Sequence, residues 1–387
     1  MSKLRVMAVF GTRPEAIKMA PVVRELARHD GVIDTIVAVT AQHREMLDQV
    51  LKLFCIPVHH DLNIMKAGQT LEEVTTAALQ GLAAIYRHEK PDLVLVHGDT
   101  TTTFVAALAA YYQQIPVGHV EAGLRTNNKY SPFPEEMNRR LAGALADVHF
   151  APTATSKSNL LREGVDPTRI FVTGNTVIDA LLATVREEYR FTGTGLSALD
   201  PNKRWLLVTA HRRENWGEPM RRIFLALKEL VQAYPDVEVI FPVHKNPRVR
   251  SAVAEVLAEV PRVHLVEPLD YLPLVNLMRR AYLVLTDSGG MQEEAPSLGK
   301  PVLVLRDTTE RPEAVEAGTV RLVGTDRARI VAEARRLLDS REAYLEMANA
   351  VNPYGDGRAA ARTVEALLYH FGRSARKPED FAPIPAC

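Results

Sequence analysis

Short runs of β-branched and leucine-rich residues alternate with amphipathic stretches, and the alternation is run through twice along the chain. Leu4 to Phe10, Thr35 to Val39, Leu93 to Val96 and Val117 to Val120 are almost continuously apolar, as parallel strands covered on both faces are. Pro21 to Arg28, Glu45 to Phe54, Leu71 to Tyr86 and Thr102 to Tyr112 read as the crossover helices between them. The pattern restarts at Trp205 to Thr209, Val237 to Phe241, Val263 to Val266, Tyr282 to Thr286 and Pro301 to Leu305. The expected fold is therefore α/β, with two Rossmann-like, doubly wound parallel-sheet domains facing a cleft.

Length agrees, since 387 residues exceed one ordinary α/β domain and suit two of roughly 180. Phe191 to Lys203 (FTGTGLSALDPNK) lacks periodicity and marks the boundary, giving domains over 1–185 and 200–357. Beyond the turn cluster Asn352 to Gly357, residues 358–371 read as a further helix expected to pack back on the first domain, and the proline-containing stretch 372–387 as a flexible tail. Hydrophobic residues at 47% and charged residues at 24% exclude disordered and fibrous classes. Lys plus Arg equal Asp plus Glu at 47 each, so no net field collects nucleic acid or an anionic membrane, and an anionic ligand must be held locally. Two cysteines, Cys55 and Cys387, make no disulfide framework or metal knuckle and fit the reducing cytoplasm. The apolar run Val6 to Phe10 is too short for a signal segment, and no run approaches the ~20 residues of a membrane span.

In an open parallel sheet, ligands bind beyond the carboxyl ends of the strands, so the residues just after each strand carry the chemistry. Here these are G-T-R-P-E (Gly11 to Glu15) with Lys18 a turn later, G-D-T-T-T-T (Gly98 to Thr103), H-V-E-A-G-L-R-T (His119 to Thr126) and Y-S-P-F-P-E-E-M-N-R-R (Tyr130 to Arg140). Arg13 and Lys18 suit an anion. Asp99 could cap the following helix, and the acids at 135 and 136 could merely complement its dipole. Asp99, Glu121 and Glu135 on one rim would, however, repel one another and raise at least one pKa, which suits general acid and base work.

The second half offers T-A-H-R-R-E-N (Thr209 to Asn215), P-V-H-K-N-P (Pro242 to Pro247), L-T-D-S-G-G-M-Q-E-E (Leu285 to Glu294) and T-T-E-R-P-E (Thr308 to Glu313). Ser288, Gly289 and Gly290 let a diphosphate approach backbone N–H groups, and Glu293 or Glu294 could accept ribose hydroxyls. There is no G-x-G-x-x-G, no P-loop, no G-x-S-x-G and no metal-ligand spacing, so neither cofactor nor metal is expected.

Taken together, GTRPEAIKMAP, TAQHREMLDQV, GDTTTT, GHVEAGLRT, YSPFPEEMNR, PVHKNP, TDSGGMQEEAPSLGKPV and RDTTERPEA resemble the bacterial non-hydrolysing UDP-N-acetylglucosamine 2-epimerases over residues 4 to 371. The resemblance implies the two-domain architecture of GT-B glycosyltransferases, a cytoplasmic homodimer, and interconversion of UDP-GlcNAc and UDP-ManNAc. It implies anti elimination of UDP to 2-acetamidoglucal followed by re-addition. It makes Asp99, Glu121 and Glu135 the acid/base set, leaving open which removes the proton, and places His211 with them. Arg13, Lys18 and His211 would meet the nucleotide or its phosphates, Ser288, Gly289 and Gly290 the diphosphate, Glu294 the ribose, and Arg311 would complete the charged wall. Leu274 stands where many relatives have an aromatic beside the uracil. A second, activating UDP-GlcNAc site would draw on Gln42, His43, Gln69, Glu136, Arg212 and His244. The alternatives are a hydrolysing epimerase, which would release UDP and free N-acetylmannosamine, a GT-B glycosyltransferase using a UDP-sugar, and a nucleotide-sugar sensor without activity.

Overall fold

In the computed structural model, residues 2–41, 44–66, 68–192, 195–197 and 199–383 are described, and their chain divides into two compact units. Unit 1 comprises the described residues within 2–182 and 354–382, and unit 2 those within 183–353 together with Pro383.

Unit 1 begins β1 (Leu4–Phe10), α1 (Arg13–Arg28), β2 (Ile33–Val39), α2 (Arg44–Phe54), β3 (His60–Asp61), α3 (Leu71–Glu89), β4 (Leu93–His97) and α4 (Thr101–Tyr112). It continues through β5 (Val117–Val120), α5 (Glu135–Leu145), β6 (Val148–Ala151), α6 (Ala154–Arg162), β7 (Ile170–Val172) and α7 (Thr176–Thr184). All seven strands are parallel, in the order β3-β2-β1-β4-β5-β6-β7. One core packs Met7, Val9, Ala38, Val94 and Val96 from the sheet against Leu82, Tyr86, Ala106 and Ala110 from α3 and α4.

In unit 2 the chain runs β8 (Arg204–Thr209), α8 (Glu218–Ala233), β9 (Val237–Pro242), α9 (Pro247–Leu257), β10 (Val263–Val266), α10 (Tyr271–Arg280) and β11 (Leu283–Thr286). Then come α11 (Gly289–Glu294), β12 (Val302–Val304), α12 (Pro312–Glu316), β13 (Val320–Leu322), α13 (Arg327–Asp339) and α14 (Arg341–Ala348). The sheet is again wholly parallel, in the order β10-β9-β8-β11-β12-β13, the same winding as in unit 1. Leu206, Val208, Val239, Phe241, Leu283, Leu285 and Leu303 pack against Phe224, Leu227 and Leu230 of α8 and Leu337 of α13. The last helix, α15 (Ala359–His370), belongs to unit 1 and packs on α1.

The fold class is the one expected: two α/β units, each a doubly wound parallel sheet. Local readings differ in four places. Helix α1 starts at Arg13, not Pro21, because Glu15 folds back to accept from the Thr12 and Gly11 amides at 2.8 and 3.1 Å, satisfying donors that a helix start leaves open. Strands β3, β6, β7 and β13 have two to four residues each, too few for a period to register. The helix after β4 is capped by Thr100, which accepts from the Thr103 amide at 3.1 Å, so Asp99 is not its cap. The stretch 372–383, expected to be flexible, is pinned at its end: the Phe381 amide donates to Val172 O at 2.7 Å, the Val172 amide to Asp380 at 3.0 Å, and Phe381 is buried. Composition foretells disorder only where no edge strand offers unpaired backbone groups to close on. Residues 384–387, including Cys387, lie outside the described residues.

Candidate functional site

Strand β1 pairs with β4, and β4 with β5, so the loops following these three strands are neighbours at one edge of unit 1. Gly11 closes the first loop because a Cβ there would fall 2.1 Å from Thr40 Oγ1 and 2.6 Å from Thr102 Oγ1. Glu15 is buried beneath it, and the hydroxyls of Thr100 and Thr103 donate to its Oε1 at 2.7 and 3.1 Å. One carboxylate thus clamps the loop after β1 to the start of α4. Burial pushes the Glu15 pKa up, against these hydrogen bonds, which pull it down.

Glu121, one residue beyond β5, has φ +60°, a left-handed conformation that costs a non-glycine residue on the order of 1 kcal/mol. That turn brings its carboxylate toward the β4 loop, where a Cβ on Gly98 would lie 4.0 Å from Glu121 Oε1. Glu121 Oε2 accepts from Lys18 Nζ of α1 and from Asn175 Nδ2 at 3.0 Å, and His97 Nε2 stands 3.7 Å away. Both members of the Lys18–Glu121 pair are largely buried. Asp99, two residues beyond β4, is held from α5: its carbonyl accepts from Asn138 Nδ2 at 3.0 Å, and its carboxylate pairs with Arg139.

The three expected carboxylates therefore do not face one another bare. Asp99 and Glu121 each have a cation, an arrangement in which opposite charge replaces the mutual repulsion foreseen from sequence. Glu135, at the first turn of α5, is half-buried and makes no ion pair or hydrogen bond among the described residues. Arg13 is likewise half-buried, without a side-chain partner among the described residues. Arg125, four residues beyond Glu121, is committed to Glu163 through two hydrogen bonds, at 2.8 and 2.6 Å.

In unit 2 the loops after β8, β11 and β12 are neighbours in the same way. Asp287, fully buried, accepts from the amides of His211 and Arg212 at 2.8 Å each and from Asn215 Nδ2 at 3.2 Å. Its other oxygen lies 3.4 Å from His211 Nδ1. The His211 ring stacks on His244 with centroids 5.3 Å apart. Burial lowers the His211 pKa, Asp287 raises it, and His244 and Arg212 lower it further, so the ring is biased toward the neutral form. Gly289 lies close under Arg311: a Cβ there would meet the guanidinium at 3.1 Å. Arg311 Nε donates to Glu293 at 2.8 Å, and Arg311 also faces Glu310 at 3.2 Å. Burial pushes Glu310 up, but Arg311 and Arg306 outweigh it and bring the carboxyl to about 2. Of the two acids on α11, Glu293 thus serves Arg311, while Glu294 accepts from the buried Tyr271 hydroxyl at 2.7 Å. Ser288 donates its amide to Thr286 Oγ1 at 2.9 Å, Gly290 follows Gly289 into α11, and Leu274 is half-buried on α10.

Of the residues assigned to a second site, Glu136 is wholly buried and holds the Thr126 and Asn127 amides at 3.0 Å each. Gln69 braces its own loop, donating to Ile64 O at 2.8 Å, and Arg212 faces Glu310 at 3.7 Å. His244 is exposed and stacked on His211. Gln42 and His43 lie outside the described residues. Sequence reasoning passed over His97, Asn175, Glu15, Tyr271 and Asp287. Only Asp287 carried a usable signal, an acid directly after a buried strand.

Two doubly wound parallel sheets, each gathering charged side chains at its carboxyl edge, place the chain in the class of α/β proteins whose ligand sites lie beyond the strand ends. The family model described as UDP-N-acetylglucosamine 2-epimerase matches residues 24–368, and the chain belongs to that family. It is 57% identical over 381 residues to a UDP-N-acetylglucosamine 2-epimerase of Bacillus subtilis, covering 98% of this chain and 99% of the relative. An Escherichia coli K12 enzyme of the same description is 58% identical over 371 residues, with 94% and 98% covered. Among solved structures, a UDP-GlcNAc 2-epimerase from Neisseria meningitidis bound to UDP-GlcNAc superposes with TM-score 0.87 at 54% identity, covering 94% of this chain and 100% of that one.

Proposed function

We propose that this protein interconverts UDP-GlcNAc and UDP-ManNAc without hydrolysis, by anti elimination and re-addition of UDP. The observation that carries the reading is the pair of carboxylates just beyond the ends of neighbouring parallel strands, Asp99 and Glu121, each beside a cation, with Glu135 on the adjoining helix. The C2 proton of the sugar is not α to a carbonyl, so it becomes removable only if the C1 leaving group departs. A carboxylate takes that proton, the C1–O bond to UDP breaks, and 2-acetamidoglucal forms. A second acid returns a proton to the opposite face of C2 while the β-phosphate oxygen re-attacks C1, which accounts for several acid/base groups around one sugar.

In this reading Arg13, Lys18 and His211 stabilise the departing diphosphate, and Ser288, Gly289 and Gly290 receive it against the backbone. Glu294, oriented by Tyr271, takes the ribose, and Arg311, fixed over Gly289 by Glu293, forms the charged wall. A cytoplasmic homodimer using its product for cell-surface polysaccharide completes the proposal. Activation by a second UDP-GlcNAc, through Gln69, Glu136, Arg212 and His244, predicts that the reverse reaction accelerates when UDP-GlcNAc is added at the start.

Incubation of the purified protein with UDP-GlcNAc in D₂O, without added metal or NAD, tests the reaction by proton NMR at C1 and C2. UDP-ManNAc carrying deuterium at C2 is the expected product. Accumulation of UDP with free N-acetylmannosamine would instead assign the hydrolysing reaction, and an unchanged spectrum would remove the epimerase reading.

A further inference from the structure

His97 ends β4 with its ring sealed from solvent, and among the described residues neither ring nitrogen makes a hydrogen bond. A buried imidazole without partners costs stability, so an orphaned one aimed at a reactive group calls for a functional explanation. The group it faces is Glu121, whose Oε2 lies 3.7 Å from His97 Nε2, just beyond hydrogen-bond reach. Neighbouring His119 provides the contrast: its Nε2 is tied to Gly98 O at 2.7 Å, which fixes that ring's tautomer. The charged and titratable groups around His97 are Glu121, Lys18 and His119. Burial outweighs the attraction of Glu121 and keeps the His97 ring neutral, with its pKa near 4.

We infer that His97 is a positioning residue for Glu121, a neutral imidazole with a free choice of tautomer that accommodates that carboxyl in both of its protonation states. This rests on the acid/base role proposed for Glu121. When Glu121 is ionised, the Nε2–H tautomer closes the 3.7 Å gap by a small ring shift and donates to it alongside Lys18 and Asn175. When Glu121 holds the substrate proton, the other tautomer accepts from it. Lys18, a donor only, favours the ionised form alone. A group that must take a proton and return it needs a neighbour that can reverse direction.

The test compares His97→Leu, which removes both polar atoms, with His97→Gln, which keeps an amide near the position of Nε2, beside wild type and Glu121→Gln. For His97→Leu we expect kcat to fall about tenfold or more with KM little changed, as loss of a hydrogen bond to a charged group implies. The acidic limb of its kcat–pH profile should move upward, because the charge-assisted bond the imidazole donates to the carboxylate is stronger than the neutral one it accepts from the carboxyl, so its loss costs the ionised form more. His97→Gln should recover much of the rate and return the limb toward wild type. An unmoved limb in His97→Leu, or no recovery in His97→Gln when that variant is folded by circular dichroism and binds UDP normally, would overturn the inference. Should His97→Leu not fold, His97→Phe replaces it with the same expected fall in kcat and upward shift of the acidic limb, and an unmoved limb in His97→Phe would overturn the inference. Wild-type turnover in Glu121→Gln would overturn the underlying role of Glu121 itself, whereas an inactive Glu121→Gln beside an unaffected His97→Leu would overturn only the role of His97.

Discussion

Glu121 concentrates several costs in one residue: a left-handed backbone, a largely buried carboxylate and a buried lysine beside it. Such costs persist where the surroundings over-determine them, and here Lys18, Asn175 and the Gly98 turn do so. Glu121→Gln keeps the shape and loses the titratable oxygen. It should bind UDP with near-native affinity by calorimetry while turnover drops about 10²-fold or more, the usual contribution of acid/base catalysis. Arg13→Ala and His211→Ala belong to the proposed nucleotide contacts, and the same calorimetry should show weaker UDP binding for both.

At the scale of elements, three adjacent strands bury a histidine each: His97 on β4, His119 on β5 and His149 on β6. Desolvation lowers all three, to about 4, 4 and 3, from the ordinary value near 6.5. The folded form therefore prefers neutral rings, while the unfolded chain takes up protons as pH drops below 6.5. This contribution is complete above pH 6.5 and is lost progressively between about 6.5 and 4, on the order of 3 kcal/mol per ring at the acid end. Urea unfolding followed across that range should show stability falling steeply toward pH 4. Replacing His149 by Gln, away from the proposed chemistry, should flatten the slope by roughly one proton.

For the molecule as a whole, the chain's last described residues close an exposed edge. β7 is the outer strand of its sheet, and Asp380 and Phe381 satisfy the backbone of Val172 while Lys157 pairs with Asp380 at 2.7 Å. Truncation after Arg376 removes a buried phenylalanine and these hydrogen bonds. It should destabilise unit 1 by about 2–4 kcal/mol in denaturant titrations, and the freed strand edge should raise light scattering on concentration.

The alternation of apolar runs and amphipathic helices determined by itself that this chain builds two parallel sheets, because burial on both faces forces continuously apolar strands and parallel pairing forces crossovers. The loops after those strands were equally legible, since charge directly following a buried strand is seldom needed for packing. Which charges oppose one another was decided only by the tertiary structure: Lys18 and Glu121 are 103 residues apart in the chain, and Asp99 and Arg139 are 40 apart. The contacts of His97, Asn175 and Tyr271 with Glu121 and Glu294 were hidden for the same reason. Each acts through a partner on another element, and sequence spacing encodes the period of one element, not the distance between two.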